Sequence, residues 1–408
     1  MKSAISLLLV GGALAAGAAT PRISNVQYVQ DSSRLVTVSY DLAEADAIVT
    51  ADVLTNGVSI GLEYLTNAVG DVNVQVAADG TRHAFTWRPD KSWPDRQFTQ
   101  GEVQVVVRAW AMNSPPNYLV CDTATGACRY YTTTNALPGG VDSDLYRTSK
   151  LLLRRIHAGR RFMMGSNIRE KGRNNSRGED PHLVTISRDF WMGVFPVTQR
   201  QWADATGNWP SHWNNAACRE TRPVENITWT DIKGTAADWP AGDQTTFLAR
   251  LRAKTNLPFD LPTEAQWEYA CRAGTYTALY TGEDLLGTTT STNLNPIARY
   301  KRNGGKNGDN DWSKSVDTSG ATPRVGSYAP NAWGLYDMLG CTYEWVNDWY
   351  GPYDLTVEID PQGPSSNSEG KHVLRGGGWH ADASSCRAAQ RHYEKITHYG
   401  FGCRVMLP

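Results

Sequence analysis

Leu261-Pro-Thr-Glu-Ala-Gln-Trp-Glu-Tyr-Ala270 holds both a helix start and a commitment to burial. Thr263 and Gln266 stand three residues apart, so the hydroxyl can accept from the Gln266 amide while the Gln266 side chain reaches back to the Thr263 amide. The spacing predicts a helix over Glu264–Arg272, in which Trp267 and Cys271 fall one turn apart on a face that reads as packing. The same pattern recurs at Thr198 and Gln201, which open a helix through Trp202 after the strand-like Phe190-Trp-Met-Gly-Val-Phe195. Around these helices, from about residue 151 to 408, the chain is rich in Trp and Gly, with short strands and long loops. That is the text of an irregular α+β domain.

Upstream the text changes. Leu35-Val-Thr-Val-Ser-Tyr40, Ile48-Val-Thr-Ala-Asp-Val53, Ala84-Phe-Thr-Trp87 and Val103-Gln-Val-Val-Val-Arg-Ala-Trp110 are β-branched and aromatic, separated by turn signals at Asn56-Gly57, Gly70-Asp71 and Asp79-Gly80. Residues 21–112 therefore read as an all-β sandwich of immunoglobulin or fibronectin-III type. Residues 113–150 carry Pro115-Pro116, a Thr run and Pro138-Gly-Gly140, the composition of a linker, with Cys121 and Cys128 placed to staple a short loop.

Residues 1–20 combine Lys2, a brief apolar run and an Ala16-Gly17-Ala18 triplet, which reads as a secretory signal. The expectation is an exported protein, secreted or held in the periplasm or cell envelope. No later stretch is long and apolar enough to span a bilayer. The charges nearly cancel, 40 Lys+Arg against 41 Asp+Glu, which excludes a generally basic nucleic-acid surface. Seven cysteines without a Cys-x-x-Cys suit an oxidising compartment and give no support to a zinc ribbon. No nucleophile elbow supports a Ser-His-Asp hydrolase.

Phe162-Met-Met-Gly-Ser166, Phe195-Pro-Val-Thr198, Arg222-Pro-Val224 with Trp229, the Leu261–Ala270 stretch, Asn331-Ala-Trp-Gly-Leu-Tyr-Asp-Met338, Glu344-Trp345, Arg375-Gly-Gly-Gly-Trp379 and Gly400-Phe401 follow one another in this order. Together they resemble the formylglycine-generating enzyme, or sulfatase-modifying factor, family over about 151–408. The resemblance implies a fold related to C-type lectins and bound calcium. It also implies, for active members, oxidation of a sulfatase cysteine to formylglycine by O₂ and a copper ion on two thiols spaced Cys-x4-Cys. In that frame the family serine is Gly378 and, without a gap, the copper cysteines fall on Ala381 and Cys386; a gapped reading that aligns Arg387-Ala-Ala-Gln-Arg391 with a downstream family pattern removes Cys386 as well, so in either reading the paired thiols are not both present. Cys386 is then the only thiol candidate, with disulfide pairing to Cys271 as its other reading.

The resemblance further implies a calcium loop of Asp337, Gly340, Thr342 and Glu344. A second oxygen-rich loop, Asn307-Gly-Asp309-Asn-Asp311, reads either as a calcium loop or as a solvated turn. His372, His380, His392 and His398 read as surface histidines. The functional expectation is a divergent, non-catalytic member whose cleft, lined by Gly378, Trp379, His380 and Arg391, binds a peptide, protein or glycan. The alternative is an active formylglycine-generating oxidase with a sulfatase partner.

Overall fold

The computed structural model describes residues 19–93, 102–234, 244–303, 321–356 and 359–408. Residues 1–18 of the stretch 1–20 that reads as a secretory signal, and the Asn307–Asp311 loop, lie outside them. The chain divides into two compact units, Met1–Pro115 and Pro116–Pro408.

The first unit is all-β apart from single helical turns. Its strands are β1 (Arg22–Gln30), β2 (Val36–Ala43), β3 (Ala47–Thr55), β4 (Val58–Ser59), β5 (Val69–Gly70), β6 (Val74–Val76), β7 (Arg82–Trp87) and β8 (Val103–Ala111), with one α-helical turn, α1 (Pro89–Ser92). One sheet runs β1-β2-β7-β5; the other runs β4-β3-β6, with β8 added along β3. Strict alternation on β2 sends Val36, Val38, Tyr40 and Leu42 inward, where they meet Val49 and Val53 of β3, Phe85 and Trp87 of β7 and Val105 and Val107 of β8. Inner faces of both sheets thus share one core, the arrangement that period-2 patterning dictates.

The second unit holds β9 (Tyr118–Asp122), β10 (Cys128–Tyr131), β11 (Lys150–Ile156), β12 (Arg161–Met164), β13 (His182–Thr185), β14 (Phe190–Gly193), α2 (Gln199–Thr206), α3 (Trp229–Lys233), α4 (Phe247–Thr255), α5 (Glu264–Arg272), β15 (Tyr343–Trp349), β16 (His372–Arg375), β17 (His392–Glu394), β18 (Phe401–Cys403) and β19 (Met406–Leu407). A five-stranded sheet runs β10-β9-β11-β14-β19, a four-stranded sheet β17-β16-β15-β18, and β12 pairs β13. The pairing of β15 with β18 is parallel. The capping boxes at Thr198/Gln201 and Thr263/Gln266 are both formed reciprocally, as their spacing predicts. A third, Thr228/Asp231, starts α3.

One expectation is corrected here. Residues 116–150 are not a linker: β9 and β10 pair with each other, and β9 pairs along β11 from Lys150↔Asp122 to Arg154↔Tyr118. Cys121 and Cys128 stand directly opposite in that hairpin and are disulfide-bonded. Gly126 closes the turn at φ +79°, where a β-carbon would meet the Lys254 carbonyl oxygen at 2.0 Å, so only glycine fits beside the end of α4.

Candidate functional site

Arg375-Gly-Gly-Gly-Trp379 leaves β16 and turns beneath α5. Gly376 and Gly377 adopt φ +90° and +78°. A β-carbon on Gly377 would stand 2.5 Å from the Ser385 carbonyl oxygen and 2.8 Å from the Cys386 sulfur. One on Gly378 would stand 3.0 Å from the Tyr343 ring and 3.1 Å from His380, a close fit. The turn delivers Trp379 and His380 into an aromatic cluster that the sequence reading only half anticipated.

Trp379 is 2% exposed and meets Trp213 edge-to-face at 5.5 Å, while its indole N–H donates to the Tyr399 carbonyl at 3.3 Å. His380 lies 5.3 Å from Trp379, 5.9 Å from Tyr343 and 4.7 Å from His398, ring centre to ring centre. Tyr399 stacks on His398 at 3.9 Å and reaches His212 at 5.6 Å. His212 is exposed, and His380, His398 and Tyr399 are half-buried. Burial, reinforced by His398 and His392, pushes the His380 imidazole down to about 3, so the ring is neutral. Trp213, His212, His398 and Tyr399 were missed as site residues; the pairs His212-Trp213 and His398-Tyr399 were the available signal.

Arg391 does not join this cluster. It is 1% exposed, its guanidinium donates to Glu264 at 2.7 and 2.9 Å, and it packs over Tyr353 at 4.0 Å. Its neighbours form a buried charge lattice: Arg375 donates to Glu264 at 3.0 Å and to Glu268, and Arg272 donates to Glu268 at 2.9 Å. Arg387 pairs with Glu170 at 2.6 Å and Glu179 at 2.9 Å. Arg391 is therefore a structural ion-pair partner, not a fork for ligand. Beside it, a cavity of about 260 Å³ is lined by His182, Glu264, Asp348, Tyr353 and Arg391 among others.

The histidines expected on the surface are partly interior. His372 is 4% exposed and sandwiched between Trp229 at 3.9 Å and Trp349 at 3.7 Å. Burial lowers it to about 4.

The thiols also depart from expectation. Cys271 and Cys386 are both buried and free, so the pairing proposed for them is not made. Burial pushes each thiol up to about 12. Ala381, at the other position where the resemblance expects a copper cysteine, is 9% exposed. Cu(I) prefers paired thiolates, and one thiol does not make a two-sulfur site.

The calcium loop has satisfied its own charges. Glu344 accepts from Arg404 at 2.8 Å and from the Trp267 indole at 2.7 Å. Asp337 accepts from the Gly326 amide at 2.6 Å, and the Cys341 thiol lies 3.4 Å from it. Burial raises Asp337 to about 6. Of the backbone oxygens in the loop, the Gly340 carbonyl accepts from the Thr342 amide at 2.7 Å. Ca²⁺ asks for several free hard oxygens, and Glu344, paired with Arg404, is not free to supply one.

The family profile of the sulfatase-modifying factor enzyme 1-like domain matches residues 154–407. The chain is 30% identical to the chaperone protein LppX of Paenibacillus barcinonensis, over 52% of this chain and 75% of that one. It is 29% identical to the formylglycine-generating enzyme of Streptomyces coelicolor, over 50% of this chain and 58% of that one. It is 27% identical to the serine/threonine-protein kinase pkn1 of Chlamydia pneumoniae, over 56% of this chain but only 34% of the kinase. The match thus spans less than two thirds of the last two relatives. Among the described residues no helix is long and apolar enough to cross a membrane.

Proposed function

The chain belongs to the sulfatase-modifying factor enzyme 1-like family, and from that premise we propose that it is a binding member that does not form formylglycine. The observation that carries the reading is the pair of positions where copper thiols belong: Ala381, and a Cys386 thiol buried and protonated at neutral pH. A thiol in that state is a poor nucleophile, and one sulfur alone does not make a two-sulfur copper site. What remains is the aromatic face of His212, His398 and Tyr399 over the Trp213–Trp379 pair. Flat rings with polar edges suit an extended peptide or glycan, because they bury apolar area and leave hydrogen-bonding tips at the surface. Relatives named for a chaperone, a kinase and an oxidase support a scaffold that carries unlike activities. Export to the cell envelope or beyond, suggested by residues 1–20, belongs to the same proposal.

The test is mass spectrometry of a Cys-x-Pro-x-Arg peptide incubated with the protein, Cu(I), reductant and O₂. The mass is expected to stay unchanged; conversion of thiol to aldehyde would instead establish the oxidase reading and a sulfatase partner. Peptide and glycan arrays probed with wild type and Y399A give the positive arm. A ligand captured by the wild type should be held at least about tenfold more weakly by Y399A, the cost expected for an aromatic contact residue.

A further inference from the structure

Asp348, on β15, is a buried carboxylate without a counter-ion. It is 3% exposed, and its Oδ2 accepts from the Glu264 amide at 2.7 Å. Oδ1 takes no hydrogen bond among the described residues. The guanidiniums nearby are committed elsewhere. Arg375 donates to Glu264, Glu268 and the carbonyls of Ala388 and Ala389. Arg391 donates to Glu264 and the carbonyls of Arg177 and Gly178. A carboxylate so placed costs free energy until a proton or another cation joins it.

The room for that cation is the cavity of about 260 Å³ beside Arg391, of which Asp348 is a wall. Its other polar groups are acceptors too. In the neutral His182 ring Nδ1 donates to the Asp180 carbonyl at 2.9 Å, so Nε2 carries the lone pair. The Tyr353 hydroxyl donates to Glu264 at 3.2 Å, which leaves the phenol oxygen free to accept. Three carboxylates, Glu264, Asp348 and Asp354, line the space against the one guanidinium of Arg391. Met164, Pro352, Pro361 and Pro364 supply apolar walls. His182 and Asp348 stand on paired strands, β13 and β15, which hold them in place.

We propose that this cavity is a socket for a primary alkylammonium, the end of a lysine side chain or a free alkylamine. An ammonium has three hydrogens to give and accepts none, which matches Asp348 Oδ1, His182 Nε2 and the Tyr353 oxygen in number and polarity. Its methylenes lie along the methionine and proline walls. A metal ion is the poorer match, because among the described residues no three His, Cys, Asp or Glu side chains gather into a metal cluster. Leu183, Leu355 and Ile359 stand one or two positions from lining residues and are exposed. Apolar surface beside a polar cavity favours a lysine carried on a peptide chain over a free amine. The socket shares no residue with the aromatic face of His212, His398 and Tyr399 and stands whatever that face binds.

The full chain, labelled at its methionine methyls, would be titrated at pH 8 with n-butylamine and with Nα-acetyl-lysine N-methylamide. Binding is read as a saturating shift of the Met164 methyl resonance. 1-Butanol and butyrate, of the same length but neutral and anionic, should leave that resonance in place, a comparison within wild type that no variant's folding affects. The lysine derivative should bind more tightly than butylamine; the reverse order would keep the ammonium and assign it to a free amine. D348N, which still accepts from the Glu264 amide, should bind at least about thirtyfold more weakly, the low end for removing one partner of a buried charge pair. Y353F should lose about fivefold, as for one hydrogen bond. H157Q, at an exposed histidine elsewhere, should match wild type. The charged groups facing Asp348 are Glu264, Arg375 and Arg391, with His182 across the cavity. Since the ammonium displaces the proton that burial holds on Asp348 up to about 7, affinity should fall at least about tenfold from pH 8 to pH 6. A Met164 resonance that neither amine moves, butanol or butyrate binding as well as butylamine, or full affinity in D348N would each overturn the proposal.

Discussion

Arg375 has no exposed surface and faces Glu264 and Glu268, themselves 2% and 0% exposed. Its removal would leave Glu264 with Arg391 alone and Glu268 with Arg272 alone in a medium that solvates carboxylates poorly, so R375M should lose about 3 kcal/mol in urea unfolding, the low end for breaking a buried pair. R375M/E264Q/E268Q should lose more still, because Arg391 and Arg272 then keep no carboxylate partner in the interior. Asp348 is a different case. Burial and the neighbouring Glu264 raise it to about 7, so the folded protein holds a proton there that the unfolded chain releases near pH 4. The folded state binds more protons between those values, hence its stability falls as pH rises from about 4 towards 7. D348N, which can still accept from the Glu264 amide that Asp348 now holds at 2.7 Å, should flatten that part of the pH–stability curve. A curve as steep as wild type would place the titration elsewhere. For Glu344, already neutralised by Arg404, the expectation is that millimolar Ca²⁺ leaves Tm unchanged and chelation does not lower it. A rise of several degrees would mean that Arg404 yields to the ion.

The hairpin of β9 and β10 illustrates what composition conceals. Pro115-Pro116 and Pro138-Gly-Gly140 are true breakers, yet the residues between them include strands whose partner, β11, begins 28 residues beyond Asp122. Long-range pairing leaves no trace in a local window, so the stretch read as a linker. Helix starts are legible for the opposite reason: Thr263 and Gln266 satisfy each other within three residues, and the structure forms both bonds. Arg391 was misread on the same grounds as the linker, since its carboxylate stands 127 residues away. That His380 and Trp379 fall together was legible because they follow one run of glycines; His212 and Tyr399 join their aromatic cluster only through the fold. Opening the Cys121–Cys128 bridge frees a loop of known separation, 7 residues. C121A/C128A should therefore lose about 2–3 kcal/mol by the loop-closure argument, measured as a shift of the urea midpoint of the second unit.

The division into two units relocates the cut that would separate them. A fragment beginning at Pro116 retains every strand of the five-stranded sheet and should unfold in one cooperative transition. A fragment beginning at Leu151 discards β9 and β10, opens the long edge of β11 and uncovers Leu151 and Leu153, which lose Leu119 and Cys121 from their core. It should be insoluble or lack near-UV circular dichroism. If the shorter fragment folded as well as the longer one, the hairpin would be an appendage and not part of the sheet.

The β14–β19 pairing has a temporal side. Trp191 and Met192 lie opposite Leu407 and Met406, about two hundred residues further along the chain. At 5–20 residues per second, synthesis needs roughly 10–40 s to deliver that partner, and during this wait an edge made of Phe190, Trp191 and Met192 has nothing to cover it. Nascent chains would be most prone to stick to one another in that interval. A ribosome-bound chain halted before residue 400 should be captured by holdase chaperones, and one carried through Pro408 should be released.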